Sequence, residues 1–234
     1  MLPSSLLAVA TFATLYALSS IALSWNTLAT VLLSPLVALA SSVLVVLLVA
    51  ALKWAVVGRY RPRVRPLWSG FVRRTEFVTG IYEAAAVPAL LTFLTGTPLL
   101  GPALRLFGSR VGRRTLIDTT YVTEFDLVTI GDDVSVGANA SLQTHLFEDR
   151  VMKMDHVTLR DRATIGDKAV VLYGSVVEED ATLAALSLAM KGEVLPRETT
   201  WCGIPAQKVG RAPTAQPARN RRRVPAGATA VGRR

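Results

Sequence analysis

The sequence predicts a mainly β protein: a parallel β-helix built from six-residue repeats, preceded by a transmembrane helical hairpin. Three observations predict it. An aliphatic residue opens a new block every six positions through much of the C-terminal half, in two unbroken runs over 130–147 and 159–188. Two long uncharged apolar stretches fill the N-terminus, and a dense arginine run separates them from the repeats. Four segments follow: two transmembrane helices over 1–58; a basic juxtamembrane and proline-broken interfacial helical region over 59–112; the β-helix over 113–210, with an inserted loop at 145–156; and a disordered basic tail over 211–234.

The repeat carries the fold. Blocks open at Leu159, Ile165, Val171, Val177 and Leu183, and a small residue sits four positions later, at Ala163, Ala169, Ser175, Ala181 and Ser187. Ile130, Val136 and Leu142 open three more blocks upstream. A period of six fits neither a helix, which repeats near 3.6, nor a lone strand, which repeats at 2. It fits a coil of three short strands whose opening aliphatics stack inside, with the small residue turned in at each corner where a large one has no room.

Residues 3–25 and 26–52 contain no charged residue. Each is long enough to cross a hydrocarbon core, which needs about 20 apolar residues. A cleaved signal peptide fits the first stretch poorly, because no basic segment precedes it and a second apolar run follows at once. Arg59, Arg61, Arg63 and Arg65, then Arg73 and Arg74, mark the cytoplasmic side. That places the β-helix in the cytoplasm at the plasma membrane. The arginines suit headgroup contact, and the chain lacks the aromatic and basic interleaving of nucleic-acid modules. Between 75 and 108, Pro88, Pro98, Pro102, Gly96 and Gly101 interrupt the apolar pattern. An interfacial or re-entrant hairpin is expected there in preference to a third straight span.

The repeat has two irregularities. From Thr115 to Thr129 the residues are strand-like but out of frame with Ile130, so an irregular first coil is expected, with Glu124 and Asp126 near a corner. After Leu142 the frame stops and resumes at Leu159. A repeat that halts and restarts has thrown out a loop, and such insertions tend to carry the binding face. This one gathers His145, Glu148, Asp149, Arg150, Lys153, Asp155 and His156, including both histidines of the chain. Beyond the repeat, a cap is needed to cover the last unpaired strand edge. The tail, with Arg219 and Arg221–Arg223, is expected to be disordered and to touch the anionic leaflet. A single cysteine, Cys202, excludes an internal disulfide, and with only two histidines no metal site is expected.

The aliphatic-Gly-x-x-small-x blocks resemble the hexapeptide-repeat acyltransferases, whose prism is a left-handed β-helix. Gly203-Ile204-Pro205-Ala206 with Lys208 looks like the closing motif of that family. The resemblance implies a CoA thioester or a phosphopantetheine-carrier thioester as substrate, bound between neighbouring β-helices of a homotrimer or pseudo-trimer. Lys191, Gly203 and Lys208 are the binding candidates. A loop histidine acts as general base, here His145, with Glu148 or Asp149 orienting the ring; His156, where the chain re-enters the repeat, suits a structural part. A second resemblance covers more of the chain. The apolar helices, Trp68–Glu76 (WSGFVRRTE), TPLLGP, DTTYVTEFDLVTIGDD and QTHLFEDRVMKMDHVTL, in that order, are similar to the C-terminal region of membrane-bound nonribosomal peptide synthetases of the ε-poly-lysine synthetase type. It implies amide formation between an aminoacyl thioester and an amine. The chain departs from that pattern in having no adenylation segment, no carrier serine motif and one repeat domain. His145–Asp149 spells H-x-x-x-D, part of the condensation signature, with Thr144 and Arg150 where a second His and a Gly would stand. The expectation is therefore a terminal piece or subunit of such a system. The alternatives are a scaffold without chemistry and a stand-alone acetyl-CoA-dependent acetyltransferase.

Overall fold

The computed structural model describes residues 27–211 and, upstream of them, Tyr16, Ser19 and Ser20. The first expected span and the basic tail therefore lie outside the described residues, save those three positions. Helix α1 runs Thr27–Val56, helix α2 runs Gly70–Leu94, and a short helix α3 runs Leu100–Phe107. From Arg110 onward the chain is a parallel β-helix.

The three faces of the prism follow the register predicted by the repeat. One face stacks Val111, Ile130, Leu159, Val177 and Leu195. The second stacks Ile117, Val136, Ile165, Leu183 and Trp201. The third stacks Val122, Leu142, Val171 and Ala189. The aliphatics are buried, as are the small corner residues Ala163, Ala169, Ser175, Ala181 and Ser187. The fourth residue of most blocks takes the left-handed conformation that turns the corner: Arg114, Asp133, Asn139, Arg162, Lys168, Asp180, Leu186 and Glu198 all have positive φ. Two pairs of these corner residues join successive coils, Arg114 on Asp133 and Arg162 on Asp180.

The β-helix begins slightly earlier than the expected boundary, because Arg110–Val111 already pairs with Thr129–Ile130. The first coil is indeed irregular, 19 positions from Val111 to Ile130 against 18 from Leu159 to Val177. At the far end Gln207–Arg211 folds back antiparallel on Thr199–Cys202 and covers the last edge. Gly203 makes that reversal with φ +108, and the Ala206 N–H donates to the Leu188 carbonyl at 2.8 Å.

The helices close the other end. One continuous apolar core runs from Val46, Val49 and Ala50 of α1 through α2 and α3 into the prism. Tyr82, Phe107 and Phe125 meet at the junction with ring centroids 4.9–5.3 Å apart. Contrary to the expected break, α2 passes Pro88 without interruption. Residues Tyr82–Leu91 widen to π-helical geometry, which accommodates the missing proline donor, and the break falls instead at Thr95–Leu99. Two helices, Val31–Val56 and Gly70–Leu94, are long and apolar enough to cross a membrane. Large apolar side chains of α1 stand exposed at Val31, Leu32, Leu36, Leu39, Leu44 and Leu48.

The helical base is pinned to the prism by charge. Lys53 of α1, fully buried, meets the Asp126 carboxylate at 2.5 Å. Asp126 also accepts the Tyr60 N–H at 3.1 Å, and the Lys53 ammonium lies 3.5 Å from the Trp54 ring centroid. Removing one partner strands a buried charge, at a cost of about 3–5 kcal/mol. Lys53→Ala is therefore expected to lower unfolding stability by about that amount. The double variant Lys53→Met/Asp126→Leu should recover most of the loss in denaturant melts of the purified protein.

Candidate active site

The insertion is an ordered β-hairpin rather than an irregular loop. Strands His145–Glu148 and Val151–Met154 pair antiparallel. Asp149 and Arg150, both at positive φ, form the two-residue turn between them, the geometry of tight hairpins. The strand Arg63–Pro66 adds to the outer edge, pairing with Val151–Met154. Met152 and Met154 are buried beneath the sheet with Tyr60, Val72 and Leu127. The size of the insertion shows in the stacking. Leu142 lies beside Val171, 29 positions on, whereas Ile165 lies beside Leu183, 18 positions on.

His145 opens the hairpin, and its ring is held by a residue from the irregular first coil. Glu124 Oε2 lies 2.8 Å from His145 Nδ1 and accepts the Thr144 hydroxyl at 2.5 Å. Glu124 is 1% exposed, and its second oxygen, Oε1, is buried without a hydrogen-bond partner. Its backbone sits at φ +37, a left-handed conformation that costs a non-glycine residue energy and that clusters at functional sites. The ring packs edge-on against Phe147, centroids 5.0 Å apart. With Nδ1 on a carboxylate, the neutral ring is the tautomer that keeps Nε2 as its acceptor nitrogen. Burial pulls the His145 pKa down most strongly, but the Glu124 hydrogen bond and charge, with Glu76 beyond, outweigh it. The net shift is upward from the usual value.

The expected orienting residues are not the ones that touch the ring. Glu148 instead takes Lys191 at 2.7 Å and Lys153 at 3.2 Å, and Asp149 takes Lys153 at 2.8 Å. Both carboxylates are held low by these lysines. They face away because side chains alternate along a strand and because the turn carries Asp149 to the hairpin tip. Lys191 therefore anchors the hairpin to the fourth coil. His156 lies at the re-entry to the repeat, its backbone N–H donating to the Asp155 carboxylate at 2.7 Å.

His145 lines a cleft of about 330 Å³ with Glu83 of α2, Tyr121–Thr123 of the first coil, Ser141–Gln143 of the second, and Leu146 and Phe147. Lys191, Gly203 and Lys208 do not line it. A larger cleft of about 540 Å³ adjoins it, sharing Glu83 and Tyr121 and adding Asp118, Thr119, Thr120, Asn139, Thr92 and Thr95. Among the described residues, two carboxylates and no lysine or arginine line the joined space. Among the described residues no cluster of His, Cys, Asp or Glu is arranged to hold a metal ion. Sequence reasoning placed Glu124 at a corner but did not connect it to His145, because the out-of-frame coil hid which residues would stack. The frame slip at Thr-Glu-Phe-Asp was the available signal.

Comparison with known proteins extends these observations. Over 160 residues the chain is 42% identical to the delta-poly-L-ornithine synthetase of Acinetobacter baumannii (strain AB307-0294), covering 68% of this chain and 12% of that protein. No protein-family profile matches. Among solved structures, a maltose O-acetyltransferase from Clostridium difficile 630 aligns with a TM-score of 0.43 and 14% identity over 69% of this chain and 97% of its own. A serine acetyltransferase from Brucella abortus strain S19 aligns at 0.41 and 20% identity, over 63% of this chain and 53% of its own. A hexapeptide-repeat acetyltransferase from Vibrio cholerae O1 biovar eltor, solved with acetyl coenzyme A, aligns at 0.41 and 16% identity, over 57% and 89%. At those scores the fold assignment rests on the strand register, not on the alignments.

The Glu124–His145 contact has a measurable signature. The chain has two histidines, His145 and His156, so the His145 signal is readily assigned. In Glu124→Gln the main upward pull on His145 is lost, so its pKa should fall below that of the wild type in an NMR pH titration. The charge pairing of His145 with Glu124 stabilises the fold below the unfolded imidazole pKa of about 6.5 and fades as pH rises through the higher folded value. The Tm difference between wild type and Glu124→Gln should accordingly narrow above it. By sequence and by register, the chain is a hexapeptide-repeat β-helix protein related to a segment of a poly-amino-acid synthetase.

Proposed function

We propose that this chain is a membrane-anchored acyl or aminoacyl transferase in which His145 is the general base. The observation that carries the reading is the buried Glu124 carboxylate on His145 Nδ1 at the wall of an acidic-lined cleft. In the reaction, Nε2 of neutral His145 takes a proton as the acceptor nitrogen attacks the thioester carbonyl. The C–N bond forms, the C–S bond breaks, and the thiol leaves carrying a proton. Glu124 steadies the imidazolium formed on the way and keeps the ring in the reactive tautomer. Thr144 holds Glu124 in turn. An amine acceptor is preferred to a hydroxyl because Glu83 and Asp118 line the joined clefts with no opposing cation. An ammonium-bearing acceptor is attracted there.

The donor is read as a CoA thioester or a carrier-bound phosphopantetheine thioester. Acetyl coenzyme A occupies the Vibrio cholerae structure named above, and the sequence relative is a synthetase. Lys191, Gly203 and Lys208 line no part of the His145 cleft, so in this reading they meet the donor only across a groove to a neighbouring β-helix of a trimer or pseudo-trimer. Membrane anchoring is supported by the apolar side chains that α1 leaves exposed, which a lipid phase would cover. The synthetase relative supports a role as part of a larger assembly that joins amino-acid monomers.

A scaffold without chemistry is the second reading. It is favoured by the same ion pair, since Glu124 to His145 also ties the hairpin to the first coil. Thiol release from acetyl-CoA and from aminoacyl-carrier donors, with an amine acceptor, separates the two. His145→Ala should lower kcat by about 10²–10⁴-fold, the usual worth of a general base. In the wild type, activity should rise with pH through the raised His145 pKa, because only the neutral ring accepts a proton, and Glu124→Gln should move that limb to lower pH. Equal turnover in wild type and His145→Ala, with the protein folded, would assign the domain to the scaffold.

A further inference from the structure

A third recess forms where α1 ends, α2 begins and the strand Arg63–Pro66 passes between them. It encloses about 210 Å³ and is lined by Val56, Val57, Arg59, Arg63, Phe71 and Arg74. Three of these six residues are arginines, and among the described residues no carboxylate lines the recess. Elsewhere the protein seats arginines on acids: Arg114 on Asp133, Arg162 on Asp180, and Arg197 on Glu179. Among the described residues Arg59, Arg63 and Arg74 make no such pair. Three like charges converging on one small space repel each other unless an anion lies among them.

The arginines are also positioned. The Arg63 guanidinium lies 4.7 Å over the Phe71 ring, which fixes its plane, and its backbone is held in the three-stranded sheet opposite Met154. Arg74 Nε donates to the Gly70 carbonyl at 3.2 Å, leaving the outer N–H groups of its fork for a ligand. Planar forks of this kind match the oxygens of a phosphate in pairs. Val56, Val57 and Phe71 supply an apolar wall for whatever the phosphate is attached to.

We propose that this recess binds the phosphate of a phosphate-bearing ligand, either a lipid headgroup or a soluble phosphate compound. The site does not depend on the transfer reaction. It does adjoin the hairpin: Arg63, Met154 and His145 occupy one row across the three-stranded sheet. Two strand spacings, about 10 Å, separate the first from the last. A ligand in the recess braces the strand that supports the hairpin.

The test uses the full chain in neutral detergent, titrated by calorimetry with inorganic phosphate in one arm and short-chain phosphatidylglycerol in another, with phosphatidylcholine as the zwitterionic comparison. The wild type should bind at least one anionic probe saturably. Arg59→Gln/Arg74→Gln, both exposed positions, should weaken it at least tenfold with unchanged circular dichroism and melting. Arg65→Gln, on the same strand but outside the recess, should bind like the wild type. Phosphatidylglycerol binding without phosphate binding identifies a lipid site, and binding of both identifies a site for phosphate itself. No saturable binding of either anion, or equal loss in the Arg65→Gln control, overturns the proposal. Membrane association of the chain is read separately by carbonate extraction, so failure of the recess and failure of membrane anchoring give different results.

Discussion

The buried pair of Lys53 and Asp126 is the interaction on which the remaining structure depends. Taking an ammonium and a carboxylate out of water costs several kcal/mol per ion. Their contact at 2.5 Å, the Tyr60 N–H on the carboxylate and the Trp54 ring under the ammonium offset that cost at one geometry only. Space is tight around it. A side chain at Gly108 would come within 2.6 Å of Asp126 Oδ1, and that residue also needs φ +114 to end α3. The pair thus fixes where the apolar helix enters the prism and where the helical base hands over to the first coil.

Asp126 belongs to the same turn as Glu124, with Phe125 buried between them. One short segment, Thr123–Asp126, therefore grips α1 on one side and the His145 ring on the other. That economy explains why the first coil cannot follow the six-residue rule. A regular block would place an aliphatic and a small residue inward, whereas this turn must bring two carboxylates under cover. The extra length between Val111 and Ile130 is the room they take.

The regular coils were legible residue by residue. Leu159, Ile165, Val171, Val177 and Leu183 open their blocks inside the prism because a repeat of six leaves one inward position per strand and one small residue per corner. The hairpin was legible only as a place. The break after Leu142 located His145, but the partner of its ring came from a residue 21 positions earlier. Such pairing is a matter of stacking register, and the coil that sets the register there is the one that departs from the repeat. Glu148 and Asp149, nearest in sequence, are turned outward by strand alternation and by the turn. Lys53 was hidden for a different reason. It ends an uncharged run, where a lysine ordinarily reads as an interfacial anchor, and only the fold shows it turned into the protein. Pro88 misled because proline signals a helix break, and a π-helical stretch absorbs it instead.

The three-stranded sheet around the hairpin joins pieces of chain that lie far apart in sequence. Arg63–Pro66 comes before α2, and Val151–Met154 comes after the second coil. A gene segment encoding the repeats alone would carry away only two of these three strands and leave the outer edge of the hairpin unpaired. It would also lose the lysine that neutralises Asp126. Recombination that respects folding must therefore inherit the helical base and the prism together. The true module boundary lies upstream of Lys53, far from the junction at residue 110 where the change in architecture would suggest drawing it.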